Sequence, residues 1–191
     1  MFRRGYKAWC EEVAVRVRED CDVAARDAVS PAQVAKGLGV RLLSASELPG
    51  LPADVLSRLT NHHSSAWSAI TLSEGGQHLI VFNPAHSKAR QSNDLMHEIA
   101  HVILEHTPTF SFLDPVKRLL VRSHDKTQED EASWLAGAIL LPRQALLYVR
   151  SRQFDVDDIC RRYGISKKLL AFRMNATGVE RQLARRRGAG R

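Results

Sequence analysis

Paired cysteines and long apolar stretches are both absent from this sequence of 191 residues. The only cysteines are Cys10, Cys21 and Cys160. They form no CxxC pair, which argues against a disulfide framework and suits a reducing compartment. No apolar run approaches the roughly 20 residues of a membrane span, so we expect none. The basic first residues lead into acidic residues and arginines where a signal peptide would have its apolar core, so we predict a cytoplasmic protein.

The remaining composition is that of one globular core with an uneven basic charge. Hydrophobic residues make up 44% and charged residues 26%, as in ordinary soluble proteins, and the length suits one core with a small appendage. The net charge is +7, and the last eleven residues contain Arg181, Arg185, Arg186, Arg187 and Arg191. We predict a solvated, disordered basic tail over residues 181–191, and a nucleic-acid contact is the alternative.

One short motif suggests a metal site, His97-Glu98-Ile99-Ala100-His101. Side chains four residues apart on a helix lie on one face, so His97 and His101 can aim two imidazoles at one point. Glu98 is rotated by about 100° from His97 and can lie beside a metal without binding it. Zinc hydrolases use this arrangement, and their carboxylate takes a proton from the attacking water. A motif this short also arises by chance in a chain with 8 histidines.

The surroundings of the motif favour a buried site. A helix is predicted from near Ser87 or Ser92 to His106, and it is apolar on almost every side. Its polar stripe consists of His97, Glu98, His101 and Glu105. Buried polar groups need hydrogen bonds or a metal, so this stripe favours a buried functional site over a solvent-exposed polar helix face.

A third ligand is expected from a later helix, because a catalytic zinc usually has three protein ligands and one open position. The segment that ends at Pro142 predicts this helix and carries acidic residues in its first turn. Glu129 continues the small-residue face of Ala132 and Ala136, which permits close helix packing, so we predict Glu129 as the ligand. Glu131 lies on another face and is the alternate candidate. Both glutamates would otherwise only complement the helix dipole.

A hairpin is predicted just before the motif helix. Trp67 to Leu72 and His78 to Phe82 have the pattern of two antiparallel strands joined by a turn with two glycines. The other predicted elements are helices over residues 7–28, 31–37 and 53–59, a strand over residues 40–43 and a connector over residues 107–127.

Two motifs stand in order along the chain. The first runs from His97 to His106. In the second, Glu129 stands three residues before Ala132, and a helix of small residues closes with Leu140-Leu141-Pro142. Together they resemble the ImmA/IrrE family of zinc metallopeptidases. The resemblance covers roughly residues 30–145.

Two shorter stretches are also similar to members of that family. These are Trp67-Ser68-Ala69 in the hairpin and Arg90-Gln91 before the motif helix. One position departs from the family, since Ser133 stands where the family often has asparagine. Ser133 lies outside the predicted ligands, so the departure affects the hydrogen bonds around them.

The resemblance implies an α+β fold with a zincin-like metallopeptidase core. This core would combine a small antiparallel sheet, the His-Glu-x-x-His helix and the glutamate helix, followed by a helical C-terminal extension. The resemblance also implies that His97, His101 and Glu129 bind Zn²⁺ and that Glu98 is the general base.

The implied activity is endopeptidase cleavage of a regulatory protein. In this family the substrate is typically a helix-turn-helix transcriptional repressor of a mobile element or stress response. An additional oxyanion donor would suit such a site, and the sequence leaves its identity open. Arg122 and His124 are polar residues upstream of the glutamate helix, and we predict a solvated loop for both rather than this role.

Residues Asp158 to Met174 have the pattern of a helix-turn-helix, with one helix ending near Gly164 and Ser166 capping the next. This segment and the basic tail support an alternative function, a non-catalytic DNA- or protein-binding regulator with a structural metal site. However, apolar residues dominate the second helix and leave few polar side chains to read bases. We predict a peptidase domain with N-terminal helices over residues 1–149, a helix-turn-helix-like segment over residues 150–180, and then the tail.

Overall fold

The chain folds as a mixed α+β structure. The computed structural model describes residues 2–62, 67–107, 109–114, 119–123 and 125–188. Its helices are α1 (Tyr6–Glu19), α2 (Pro31–Gly37), α3 (Ala53–Ser57), α4 (Lys88–Ile103), α5 (Lys126–Leu140), α6 (Arg143–Ser151), α7 (Val156–Tyr163), α8 (Lys167–Thr177) and α9 (Val179–Gly188). Its strands are β1 (Arg41–Ser44), β2 (Ala69–Glu74), β3 (Gln77–Phe82), β4 (Thr109–Asp114) and β5 (Leu119–Ser123). The α+β class predicted from the sequence is confirmed.

Three strands form a mixed sheet in the order β1-β3-β2. β2 and β3 are the predicted antiparallel hairpin, with Ile70 opposite Val81. β1 instead runs parallel to β3, with Leu42 opposite Ile80. The prediction of an antiparallel sheet is therefore wrong for β1, because pairing between strands that are far apart in the chain leaves no local signal. β3 is the central strand, and its Ile80 is fully buried.

A second sheet consists of the antiparallel strands β4 and β5, which follow α4 in the chain. Its register is irregular between Phe112 and Asp114. Both strands fall within the predicted connector over residues 107–127, so that prediction is wrong for these strands. The alternation of Phe110 and Phe112 with polar neighbours is the signal that indicates β4.

α4 and α5 pack against each other at the centre of the core, and α1 packs across α5. The residues they bury include Leu95, Met96, Ile99 and Ala100 on α4 and Ala132, Leu135, Ala136 and Ile139 on α5. Each buried leucine, isoleucine or methionine contributes about 1.5–3 kcal/mol. The alanines let the two helices approach closely, which holds the two motif helices in one relative position.

Two fully buried arginines bind the C-terminal end of α5. Arg18 of α1 donates a hydrogen bond to the backbone oxygen of Ile139 at 2.6 Å, and burial lowers the pKa of its guanidinium. Arg173 of α8 donates through Nε to the backbone oxygen of Leu141 at 3.0 Å, and pairs with the Glu11 carboxylate. The last carbonyls of a helix need donors and favour positive charge, so both arginines complete α5.

α7 and α8 cover the segment predicted to be helix-turn-helix-like, and that assignment stays a prediction. Gly164 ends α7 in a left-handed conformation with φ 61°, which glycine adopts at little cost. Ser166 caps α8 by accepting a hydrogen bond from the backbone N–H of Leu169 at 3.1 Å. The core residues they supply, with the turn between them, are Ile159, Tyr163, Ile165, Leu169 and Leu170. The apolar faces of α7 and α8 therefore pack into the same core as α4 and α5.

The basic end of the chain is helical as far as Gly188, where α9 ends. The structure thus differs from the predicted disordered tail over residues 181–188, because arginines with long straight side chains readily continue a helix. Residues 189–191 lie outside the described residues. The division into three parts stays a prediction.

Within the described ranges, no single helix is long and apolar enough to cross a membrane. α5 and α6, bent by 45° at their junction, pass that test only as a pair, on length and composition alone. All three cysteines are free, as expected. Cys10 is fully buried, and this burial raises its pKa to about 11, which makes its thiol a poor nucleophile.

Candidate metal centre

The motif helix α4 begins after Ser87, whose hydroxyl accepts a hydrogen bond from the backbone N–H of Arg90 at 3.4 Å. Ser87, and not Ser92, is therefore the N-cap. The helix continues without a break through the motif, so His97 and His101 lie one turn apart on one face. The His101 side chain is 6% exposed and that of His97 is 20% exposed, so the pair lies at the edge of the core.

Glu129 meets both histidines from the first turn of α5. Its Oε2 lies 3.0 Å from His97 Nε2, and its Oε1 lies 3.5 Å from His101 Nε2. The two Nε2 atoms are 3.0 Å apart. The structure thus brings together His97, His101 and Glu129, the three residues predicted as ligands.

The donor atoms of this group fit a zinc ion. Two imidazole nitrogens and one carboxylate oxygen are a common donor set of catalytic zinc, and all three lie within 4.8 Å of one another. Ligands about 2.1 Å from a tetrahedral zinc would be about 3.4 Å apart, close to the spacing found here. The Glu129 side chain is 30% exposed, which leaves one side of the group open to solvent.

Glu98 lies beside the group and is almost buried, at 8% exposure. The hydroxyl of Thr71 on β2 donates a short hydrogen bond to Glu98 Oε2. This bond ties the carboxylate to the strand that flanks α4. Sequence reasoning missed Thr71, although its polar side chain between two apolar residues of a predicted strand could have indicated it.

Ser133, the departure from the family pattern, contacts one of the two histidines. Its Oγ lies 3.3 Å from His97 Nδ1, the ring nitrogen on the opposite side from Glu129. Serine at this position therefore still supplies a hydrogen-bonding partner to His97.

Glu131, the alternate ligand candidate, is not brought into the group. Its Oε2 lies 3.4 Å from His106 Nε2. The other ring nitrogen of His106, Nδ1, is 2.9 Å from His101 Nδ1. Glu131 is thus connected to His101 through one intervening imidazole.

The prediction of a solvated loop is wrong for the backbone of Arg122 and stays a prediction for His124. Arg122 belongs to β5, where its backbone pairs with Phe110. His124 lies outside the described residues.

A cleft of about 490 Å³ opens beside His97 between α4, α5 and α8. Its wall includes Arg90, Ser133, Ala136, Lys168, Leu169 and Phe172. A smaller recess of about 210 Å³ lies towards β2 and is lined by Ser68, Ala69, Asn93, Asp94, His97 and Glu98. His97 lines both spaces, so its side chain borders open space on two sides.

Comparison with solved structures finds a similar fold in a Mycobacterium tuberculosis transcriptional regulator. The TM-score is 0.54 at 13% sequence identity, and the likeness covers 87% of this chain and 46% of the regulator. The chain thus spans about half the length of that protein, and at this identity the likeness concerns the fold alone. None of the curated proteins matches the chain.

Comparison with sequence families adds a direct assignment. The model of Peptidase_M78, the IrrE N-terminal-like domain, matches residues 35–175. The match includes both motif helices, the hairpin between β2 and β3, and the α7–α8 pair as far as residue 175. Because it spans well over half of the sequence, the chain belongs to the IrrE N-terminal-like peptidase family that its two motifs predict.

Proposed function

We propose that the chain is a zinc-dependent endopeptidase that hydrolyses peptide bonds of a regulatory protein. The observation that carries this proposal is the meeting of His97, His101 and Glu129, with Glu98 held next to them. Among the described residues three protein donors meet and leave one side open, which suits a catalytic zinc, whereas structural zinc sites are closed by four protein ligands. This difference favours catalysis over the alternative of a regulator with a structural metal.

The chemistry assigned to the site follows from its residues. A zinc ion held by His97, His101 and Glu129 would polarise the scissile carbonyl and make water acidic enough to attack near neutral pH. Glu98 accepts a proton from the attacking water and passes it to the leaving amine. Thr71 orients the Glu98 carboxylate through its hydrogen bond. Because this bond joins α4 to β2, the base and the neighbouring strand keep one relative position.

The sheet offers a way to bind an extended peptide. In the part of the chain that the structure describes, β2 pairs with β3 alone, so its other edge is available. An added peptide strand could pair with the backbone of β2, as in other complexes formed by strand addition. Ala69 of β2 lines the recess that reaches His97 and Glu98, so a peptide on this edge would pass beside the base.

The proposed substrate is a helix-turn-helix transcriptional repressor of a mobile element or stress response. This part of the proposal is inherited from the family that the sequence resembles. A repressor substrate would place the enzyme in the cytoplasm. The repressors to test first are those encoded next to the gene for this chain.

Zinc analysis of variants tests the site. We expect one zinc per chain in the wild type and loss of that zinc in His97→Ala and Glu129→Gln, because each removes one of three ligands. Glu131→Gln should retain one zinc per chain when zinc is in excess. Asp130→Asn is the matched control, since Asp130 is exposed on the same turn and pairs with Lys126. Equal zinc in wild type and His97→Ala would contradict the site, and zinc loss in Glu131→Gln alone would replace Glu129 as the ligand.

The cleft beside His97 is proposed to hold a substrate side chain. Phe172 of α8 is 38% exposed and lines this cleft. We expect Phe172→Ala to raise KM for a repressor substrate about tenfold with little change in kcat, the effect of about 1.4 kcal/mol of lost apolar contact.

Asn175→Ala is the control for Phe172, because Asn175 is also exposed on α8 and does not line the cleft. An unchanged KM in Phe172→Ala would remove α8 from substrate binding. Salt-dependent binding of duplex DNA that weakens in a Lys167→Ala, Lys168→Ala double variant would instead favour the DNA-binding alternative.

A further inference from the structure

His106 is attached to His101 by the way in which α4 ends. Glu105 has a left-handed backbone with φ 52°. The backbone N–H of His106 donates to the oxygen of His101 at 3.0 Å, and that of Glu105 donates to the oxygen of Val102 at 3.1 Å. These two bonds form a Schellman motif, which turns the chain back over the last helical turn. This turn brings the backbone of His106 back to His101, which lies five residues earlier in the chain.

The side chain of His106 makes a second connection to the same residue. His106 Nδ1 lies 2.9 Å from His101 Nδ1, with the two ring planes at 66°. On its far side, His106 Nε2 lies 3.4 Å from Glu131 Oε2. The three side chains are mostly buried, with His106 at 9% and Glu131 at 22% exposure. Tyr6 supports the far end by donating to the backbone oxygen of Glu131 at 2.9 Å.

His101, His106 and Glu131 form a row of hydrogen-bonded side chains, and the direction of its hydrogen bonds follows from the role of His101. If His101 uses Nε2 as a metal donor, its Nδ1 carries the hydrogen and donates to His106 Nδ1. His106 then carries its hydrogen on Nε2 and donates to the Glu131 carboxylate. One tautomer of each ring satisfies all three groups, and the acceptor at the end is an anion, which strengthens the bond to it.

We propose that His106 and Glu131 are positioning residues that hold the His101 ring and its tautomer for metal binding. The proposal rests on the proposed zinc site. Zinc-bound histidines are usually held by such an outer partner, and its loss typically weakens metal binding about 10- to 100-fold. Glu131 thereby acts on the metal through two imidazoles without touching it. On the other ligand, Ser133 makes the corresponding contact with His97 Nδ1.

Three variants of the whole chain test the row. His106→Leu removes the acceptor for His101 Nδ1, and Glu131→Gln removes the anion while keeping its shape. His106→Asn restores an acceptor near His101 but cannot reach Glu131. The measured quantities are the zinc Kd, by competition with a chromophoric chelator, and the visible absorption spectrum of the cobalt(II)-substituted chain. Circular dichroism and Tm report whether each variant is folded.

We expect the zinc Kd to rise about 10- to 100-fold in His106→Leu, with a changed cobalt spectrum, and to rise less in His106→Asn and Glu131→Gln. Asp130→Asn is the control and should retain the wild-type Kd. Folded variants with wild-type Kd and spectrum would overturn the positioning role while leaving the zinc site standing. Equal losses in His106→Leu and His106→Asn would also overturn it, because the hydrogen bond would then not be the cause. A wild-type chain that binds no zinc would overturn both proposals.

Discussion

Replacement of Glu98 by glutamine is expected to lower kcat for repressor cleavage by about 10²- to 10⁴-fold while one zinc per chain is retained. The amide has the shape of the carboxylate and can still accept the Thr71 hydrogen bond, so the site should keep its structure. It cannot accept a proton from water, which removes the general base. Zinc content and single-turnover cleavage rates, measured on the same preparation, check both halves of this expectation.

The control for this substitution is Glu19→Gln, a change of the same kind at an exposed position of α1. Its cleavage rate should lie within about twofold of the wild type, since surface substitutions away from special features have small effects. A Glu98→Gln chain that cleaves at the wild-type rate would contradict the role of Glu98 as base. A Glu98→Gln chain that loses its zinc would instead place Glu98 among the ligands.

Replacement of Arg18 by alanine is expected to lower the free energy of unfolding by about 3–5 kcal/mol. The Arg18 side chain is fully buried and donates to three backbone oxygens, those of Ile139, Ala24 and Asp27. Alanine would remove this donor from all three oxygens, of which that of Ala24 keeps the backbone N–H of Asp27, and would leave a cavity where the side chain was. Unfolding by urea, followed by circular dichroism, measures the change.

Arg16→Ala is the matched control, because Arg16 lies on the same helix but is exposed. It should change the free energy of unfolding by less than about 0.5 kcal/mol. Similar losses in the two variants would show that the effect belongs to α1 as a helix rather than to the end of α5. Zinc binding by the folded fraction of Arg18→Ala should persist, since Arg18 contacts none of the donor residues.

Helix α8 contacts both the end of α5 and the cleft beside His97, so it bears on stability and on the proposed activity. Arg173 of α8 binds the end of α5 from inside the core, and a Cβ at Gly137 would lie only 3.0 Å from its Cδ. Glycine at 137 therefore lets α8 approach α5 closely. Through this approach, Phe172 reaches the cleft beside His97. Residues of α8 thus form part of the wall next to the candidate metal centre.

Much of the candidate site follows from local chemistry that the sequence displays. The helical period alone places His97 and His101 on one face and Glu98 beside them. The two glycines between apolar strands indicate the hairpin of β2 and β3. Ser166 and Gly164 similarly mark the turn between α7 and α8. Each of these signals acts over a few residues, which is why it can be read without knowledge of the fold.

Other features depend on contacts between distant parts of the chain. Helical phase favoured Glu129 over Glu131, but only the packing of α5 on α4 brings Glu129 to the histidines and directs Glu131 to His106. The parallel pairing of β1 with β3 has no local signal, and the local pattern that marks Thr71 does not indicate Glu98 as its partner. The sequence by itself determined which residues could bind a metal, because that depends on side-chain chemistry and helical spacing. The tertiary structure decided which of them meet, because burial of the apolar faces sets how the helices and strands pack.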